Sequence, residues 1–244
     1  MKVVLIIPAR FKSTRFPGKP LVQILKIELI LRVINACEKA INKKNIYVAT
    51  DNKKIFNFVK DKGYNCIMTS SKCLTGTDRV AEASKKIYAD IYLNVQGDEP
   101  LIKEKDIKKI IQFKKSFMNH VVCGYSNIKN YEEAKNKSVP KVVINKFNEL
   151  VYISRLPIPG SKSQKNIKKN SFLKQVCIYA FNKKELDIFA KNKKKAFYEE
   201  KEDIEILRFF DLNKKIKMVK LSSNTVAVDK KSDIKKVEKI LLQK

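Results

Sequence analysis

The chain contains a single histidine, His120, so no histidine cluster can form from it. In Asn119-His120-Val121-Val122-Cys123 the plain reading is a loop between helix and strand. The five cysteines, Cys37, Cys66, Cys73, Cys123 and Cys177, are odd in number and scattered, with no CxxC pair. That argues against a disulfide framework or a zinc site and fits a reducing, cytoplasmic setting. Long apolar runs are missing too. The opening Met1-Lys2-Val3-Val4-Leu5-Ile6-Ile7-Pro8 stops at proline, too short for a signal sequence or a membrane span. Internal repeats are absent. Acidic residues are few, 25 against 53 basic, giving a net charge of +28. Arginine is scarcer still: Arg10, Arg15, Arg32, Arg79, Arg155 and Arg208 are six of the 53, and the other 47 are lysine. Sequence-reading nucleic-acid sites lean on the planar arginine fork. Lysines spread along the whole chain, with abundant Ile and Asn, fit AT-rich codon usage and a solvated surface. A basic nucleic-acid-binding protein is therefore the rival reading from another class, and it is not favoured.

What is present is a regular alternation. Val3–Ala9, Ile46–Thr50, Cys66–Thr69 and Ile91–Gln96 read as strands, and Leu29–Ala40, Asn52–Lys62, Asp78–Tyr88 and Glu104–Phe117 as helices. Nearly all-apolar strands separated by helices imply a parallel sheet covered on both faces, with ligands beyond the strands' carboxyl ends. After Val121 the pattern changes. Val121–Ser126, Pro140–Asn145 and Glu149–Ser154 read as antiparallel strands, with Lys146-Phe147-Asn148 as a hairpin connection. Pro157–Asn170 reads as a loop and Lys174–Phe181 as a strand. Helices follow at Lys184–Lys191 and Asp203–Leu212, then a strand at Ile216–Leu221 and a helix at Ser232–Leu242. The chain reads as one α/β domain over 1–244, Rossmann-like, with a smaller antiparallel β lobe at about 122–175.

The turn after the first strand is Pro8-Ala9-Arg10-Phe11-Lys12-Ser13-Thr14-Arg15-Phe16-Pro17-Gly18-Lys19-Pro20. Two of the six arginines, a lysine and two hydroxyls share a loop stiffened by prolines and opened by Gly18. A polyanion at a strand's carboxyl end needs such cationic donors and close backbone approach. The loop is neither G-x-G-x-x-G nor G-x-x-x-x-G-K-[ST], so dinucleotide and P-loop readings fail.

This stretch resembles the signature loop of the 3-deoxy-manno-octulosonate (Kdo) cytidylyltransferases, A-R-x-x-S-[TS]-R-[LF]-P-G-K-P-L. Further matches follow in order: Tyr47-Val48-Ala49-Thr50-Asp51, Thr75-Gly76-Thr77-Asp78-Arg79, Asn94-Val95-Gln96-Gly97-Asp98-Glu99-Pro100, Lys141-Val142-Val143, Tyr152-Ile153-Ser154-Arg155-Leu156-Pro157-Ile158-Pro159, Ile178-Tyr179-Ala180-Phe181 and Val228-Asp229. They span nearly the whole chain.

The resemblance implies a nucleotide-diphospho-sugar transferase fold and transfer of CMP from CTP to Kdo with release of pyrophosphate. It assigns Arg10, Ser13, Arg15 and Lys19 to the triphosphate, and Thr69, Thr75, Gly76, Arg79 and Gln96 to the rest of CTP. Gln96, Arg155, Lys174, Gln175, Tyr179 and Glu205 fall to the sugar. Asp98 and Asp229 correspond to Mg²⁺ ligands; a helix N-cap is the alternative role for Asp98. Arg10, Lys19, Asp98 and Asp229 carry the catalysis, with no protein nucleophile. The resemblance also implies a homodimer and a product for lipopolysaccharide or capsule assembly. An N-acylneuraminate cytidylyltransferase shares the chemistry, but its first loop usually reads A-R-x-G-S-K-[GR]-[IL]-P-x-K-N.

Three departures stand out. Lys26-Ile27-Glu28 replaces a second Gly-Lys-Pro, Gln175 replaces a sugar-facing histidine, and Ile206 replaces the glutamine of E-Q-L-R. Gln175 cannot carry charge and Ile206 cannot hydrogen-bond. A modified ulosonic acid, such as 8-amino-Kdo or a sialic-acid-like sugar, is the alternative substrate.

Overall fold

β1 (Val3–Ala9) runs through the middle of the molecule, and its alternate side chains divide the core in two. The computed structural model describes residues 1–12, 16–160, 172–222 and 226–243. Val4 and Ile6 pack with α3 (Gly76–Ser84) and α6 (Lys183–Lys191). Leu5 and Ile7 pack with α1 (Leu29–Glu38), α2 (Lys53–Asp61) and α4 (Glu104–Ser116). All four strand residues are fully buried. The split follows from the period of two along a strand, and it places helices on both faces.

β1 is parallel to β4 (Ile46–Thr50) and β6 (Ile91–Val95), and β4 is parallel to β5 (Asn65–Met68). Beyond β6 lies β10 (Leu173–Phe181), antiparallel to both β6 and β7 (Val121–Asn127). β11 (Ile216–Lys220) closes that edge in parallel with β7. β8 (Lys141–Ile144) pairs with β10, and β9 (Leu150–Ser154) folds back on β8. The described residues thus form a mixed nine-stranded sheet of Rossmann-like nucleotidyltransferase type, with a separate two-stranded ribbon, β2 (Gln23–Ile24) and β3 (Ile27–Glu28).

Helix starts follow their caps. Asn52, Thr75 and Asn182 each accept a backbone N–H in the first turn of α2, α3 and α6. The helix expected over Asp203–Leu212 is instead α7 (Phe197–Glu202), a 3-10 turn at Glu205–Leu207 and the short α8 (Arg208–Asp211). Asp203 ends α7 in the left-handed region, φ 50°, which aspartate tolerates without the glycine that would mark it in a sequence. β7 also departs from the expected antiparallel group, because its second neighbour β11 is parallel. The β2–β3 ribbon and α5 (Tyr131–Lys135) are too short to leave a periodic signal. The expected hairpin at Lys146-Phe147-Asn148 is present. Asn148 takes φ 56°, and the Asn145 side chain accepts the N–H groups of Phe147 and Glu149. Of the loop expected over Pro157–Asn170, residues 161–170 lie outside the described residues.

α9 (Lys231–Leu242) completes the chain. Among the described residues no helix is long and apolar enough to cross a membrane.

Candidate active site

Because β1, β4 and β6 are parallel, their carboxyl ends share one edge, and every element of the site reaches that edge. β1 opens into the loop from Arg10. Gly18 donates its N–H to the Phe11 carbonyl at 3.0 Å and takes φ 72°, a conformation that costs a side-chain-bearing residue strain. The Gly18 turn delivers Lys19 at the start of a 3-10 turn (Lys19–Leu21). Phe16 is buried with Leu101 and Val228, pinning the loop to the segments around both expected metal ligands. Ser13 and Arg15 lie outside the described residues.

β6 ends at Val95 and continues into Gln96-Gly97-Asp98. The Lys19 ammonium donates to Asp98 Oδ2 at 2.6 Å, a half-buried ion pair joining the two loops. Asp98 caps no helix, since α4 begins only at Glu104. Its carbonyl accepts the Val228 N–H at 2.9 Å, which sets Asp229 next in line on the adjoining strand of chain. Asp229 donates its N–H to Asp233 Oδ2 at 3.1 Å, at the start of α9. One backbone hydrogen bond therefore sets the chain at Asp98 beside the chain leading into Asp229, 131 positions on in the sequence.

The N-terminal turn of α3 forms the next wall. A Cβ on Gly76 would lie 2.8 Å from Gln96 Nε2, so any side chain there would have to displace the Gln96 amide. Thr75 caps the helix through Asp78, and Arg79 turns inward. Its guanidinium, buried, donates to Thr69 Oγ1 (2.5 Å) and Asp51 Oδ2 (3.1 Å). Thr69 and Arg79 thus bind each other.

The opposite wall is β10. Antiparallel pairing of Ile178 with Val95 carries Lys174 and Gln175 past the end of β6, on the Asp98 side. A bulge between Val176 and Tyr179 lets Gln175 Nε2 donate to the Tyr179 hydroxyl at 3.1 Å. Lys174 is buried and pairs with Glu133 at 2.6 Å. Glu205 reaches in from the 3-10 turn. Its carboxylate accepts Gln96 Nε2 and the Thr77 N–H, each at 2.8 Å. Burial raises the Glu205 carboxyl above its ordinary range, against the hydrogen bonds from Thr77 and Thr75 that lower it. Arg155 is not brought to this group. Its guanidinium donates to the carbonyls of Glu202, Lys137 and Asp203. Ile206 is fully buried in the apolar cluster with Tyr179, Phe181 and Phe209, a core position.

Burial pushes the Cys66, Cys73 and Cys123 thiols up to about 12, and raises those of Cys37 and Cys177 as well. None is a thiolate near neutrality. The feature that sequence reading missed is Arg208, fully buried and gripped by Glu199 and Asp78. A lone arginine in an apolar context, Leu207-Arg208-Phe209-Phe210, was the available signal.

An α/β sheet whose first loop sets a lysine against an acidic strand end, with a second aspartate beside it, defines a nucleotidyltransferase. Residues 4–216 match the cytidylyltransferase family. The chain is 34% identical to a 3-deoxy-manno-octulosonate cytidylyltransferase of Bdellovibrio bacteriovorus, covering 99% of this chain and 98% of that one. It is 32% identical to one from Escherichia coli, covering 99% and 97%. A solved CMP:2-keto-3-deoxy-manno-octonic acid synthetase complexed with CTP superposes with a TM-score of 0.88 at 32% identity, over 100% of this chain and 99% of that one. A cytidylyltransferase from Leptospira borgpetersenii, at 16% identity and TM-score 0.66 over 100% and 88%, shares the fold. The chain belongs to the 3-deoxy-manno-octulosonate cytidylyltransferase family.

Proposed function

We propose that this nucleotidyltransferase joins CMP to 3-deoxy-manno-octulosonate, and that the Lys19–Asp98 pair at 2.6 Å, beside the Asp98–Val228 backbone bond, carries the reading. The anomeric hydroxyl of the sugar acid attacks the α-phosphorus of CTP. A new O–P bond forms, the α–β bridging P–O bond breaks, pyrophosphate leaves and the hydroxyl proton passes to solvent. Arg10, Ser13, Arg15 and Lys19 hold the triphosphate and offset charge that grows on its oxygens. Thr75, Gly76 and Gln96 border the nucleoside, while Gln96, Lys174, Gln175, Tyr179 and Glu205 face the sugar. The chemistry is one of positioning, with both reactants held in line between β10 and the first loop.

Asp98 and Asp229 fit a divalent cation: Asp98 already holds a cation, the Lys19 ammonium, and both offer hard oxygens. Among the described residues no group of three or more His, Cys, Asp or Glu could enclose a metal, so phosphate oxygens and water complete such a site. Mg²⁺, the cation assigned here, supplies charge neutralisation at the phosphates. A homodimer would cover some of the exposed apolar side chains, which include Val151 in β9, Leu156 just after it, and Phe197 and Tyr198 in α7, with product destined for cytoplasmic steps of lipopolysaccharide or capsule assembly.

Pyrophosphate release from CTP and Mg²⁺ with Kdo tests the reading, against sialic acid as control. No release with Kdo sinks it. Light scattering tests the dimer.

A further inference from the structure

We infer that Arg208 is a positioning residue, which locks the nucleotide-side turn of α3 and the sugar-side turn bearing Glu205 into one register. It lies beneath the cleft, fully buried, with its guanidinium 3.8 Å over the Phe189 ring. Nε and Nη2 donate to the two Glu199 oxygens at 2.7 Å each. Nη1 donates to Asp78 Oδ1 at 2.7 Å and Nη2 to Oδ2 at 3.1 Å. Asp78 Oδ2 in turn accepts the Thr75 N–H at 2.9 Å and the Thr75 hydroxyl at 2.7 Å. Three residues before Arg208, Glu205 accepts the Thr77 N–H of the same α3 turn. Two bonds of opposite polarity therefore tie one short segment to one helix start. Arginine donates towards α3 at Asp78, and glutamate accepts from it at Thr77.

Burying three charges is a poor way to gain stability. Apolar packing of similar volume often equals or exceeds a buried ion cluster. Phe189, Leu207 and Phe209 already surround this place, so an apolar side chain was available. The ion cluster adds direction: the planar fork fixes distance and angle at both carboxylates, as packing does not. Thr75 and Gly76 stand on the nucleotide side and Glu205 on the sugar side. A slip of about 1 Å between them misaligns the attacking hydroxyl and costs on the order of 10²-fold in rate. The phosphate loop, which Arg208 does not touch, keeps CTP bound.

The inference rests on the proposed cleft reading, which wild-type turnover of CTP and Kdo checks separately. Arg208→Met and Arg208→Met/Glu199→Gln are compared with wild type by circular dichroism, calorimetric CTP binding and kinetics well below melting. In folded protein kcat should fall by about 30-fold or more while the CTP Kd moves by less than about threefold, and Arg208→Lys should recover part of the loss. A purely stabilising role lowers Tm and leaves kcat alone. Folded variants with kcat within about threefold of wild type overturn the inference. Should neither fold, Glu199→Gln and Asp78→Asn decide it by the same kcat criterion.

Discussion

The two sides of the cleft treat their polar side chains in opposite ways. On the side proposed for the phosphates Arg10 is exposed, no described residue hydrogen-bonds or ion-pairs with it, and the Lys19 side chain has one described partner, Asp98. On the side proposed for the sugar nearly every assigned polar group is bound inside the protein. Lys174 holds Glu133, Gln175 holds Tyr179, and Glu205 is held by Gln96 and Thr77. Arg208 is wholly engaged in internal bonds, and Arg155, half-buried, donates to three carbonyls. A triphosphate brings its own charge, so cations facing it can await the ligand. A sugar offers neutral hydroxyls and one carboxylate, and it needs donors and acceptors fixed beforehand. Arginines in front of the phosphates should thus govern rate, and arginines behind the sugar should govern geometry and stability.

Asp98→Asn should break the comparison at its centre. It removes charge from the acid that pairs with Lys19 and is proposed to hold the cation, and turnover should fall by about 10³-fold with folding intact. Retained activity would remove Asp98 from the metal site. Arg10→Ala should cost about 10²-fold in kcat/KM for CTP, with Tm unmoved, because no described residue bonds to its side chain. Arg155→Met should do the reverse. Three carbonyls lose donors near the surface, a loss of about 2 kcal/mol and some 4–8 °C in Tm, while kcat/KM for CTP stays within about threefold. A rate loss without a melting change at Arg155 would erase the distinction.

Gln175→His sharpens the sugar side. Gln175 does not ionise, so in wild type it adds no bend to the pH profile of KM for the sugar acid between about pH 5.5 and 8. The imidazole has an ordinary pKa near 6.5 and should bend that profile. Buried beside Cys123 and Tyr179, it meets an environment that disfavours its charged form, so the bend belongs below 6.5. A flat profile in the variant would place residue 175 away from the sugar.

These contrasts also explain which parts were legible in the sequence. Strands such as Ile46–Thr50 and Val3–Ala9 are apolar throughout because both faces are covered, and their bounds follow at once. The basic first loop stands out in the sequence because the residues assigned to the triphosphate lie within a dozen positions of one another. The back of the sugar side does not. Arg208 depends on Glu199, nine positions away, and on Asp78, 130 positions away, and no spacing rule links them. Arg155 was assigned to the sugar from the resemblance, and a sequence cannot show that its guanidinium donates to three carbonyls. The break at Asp203 was hidden because the turn uses an aspartate where glycine would have announced it.

The smallest effect concerns the ribbon after the phosphate loop, where Lys26 stands in place of a family glycine. Leu25 and Lys26 both hold positive φ, 46° and 61°, as a two-residue hairpin of this twist requires. Each side chain there costs about 1 kcal/mol of strain that glycine lacks. Arg32 steadies the turn by donating to the Ile24 and Leu25 carbonyls, which shows how the chain tolerates the strain. Lys26→Gly removes the strain but also loosens the unfolded chain, offsetting part of the gain. A net rise of about 0.5 kcal/mol, or 1–2 °C in Tm, should remain, with kinetics unchanged. A fall in Tm would mean that the Lys26 side chain contributes contacts outweighing its backbone strain.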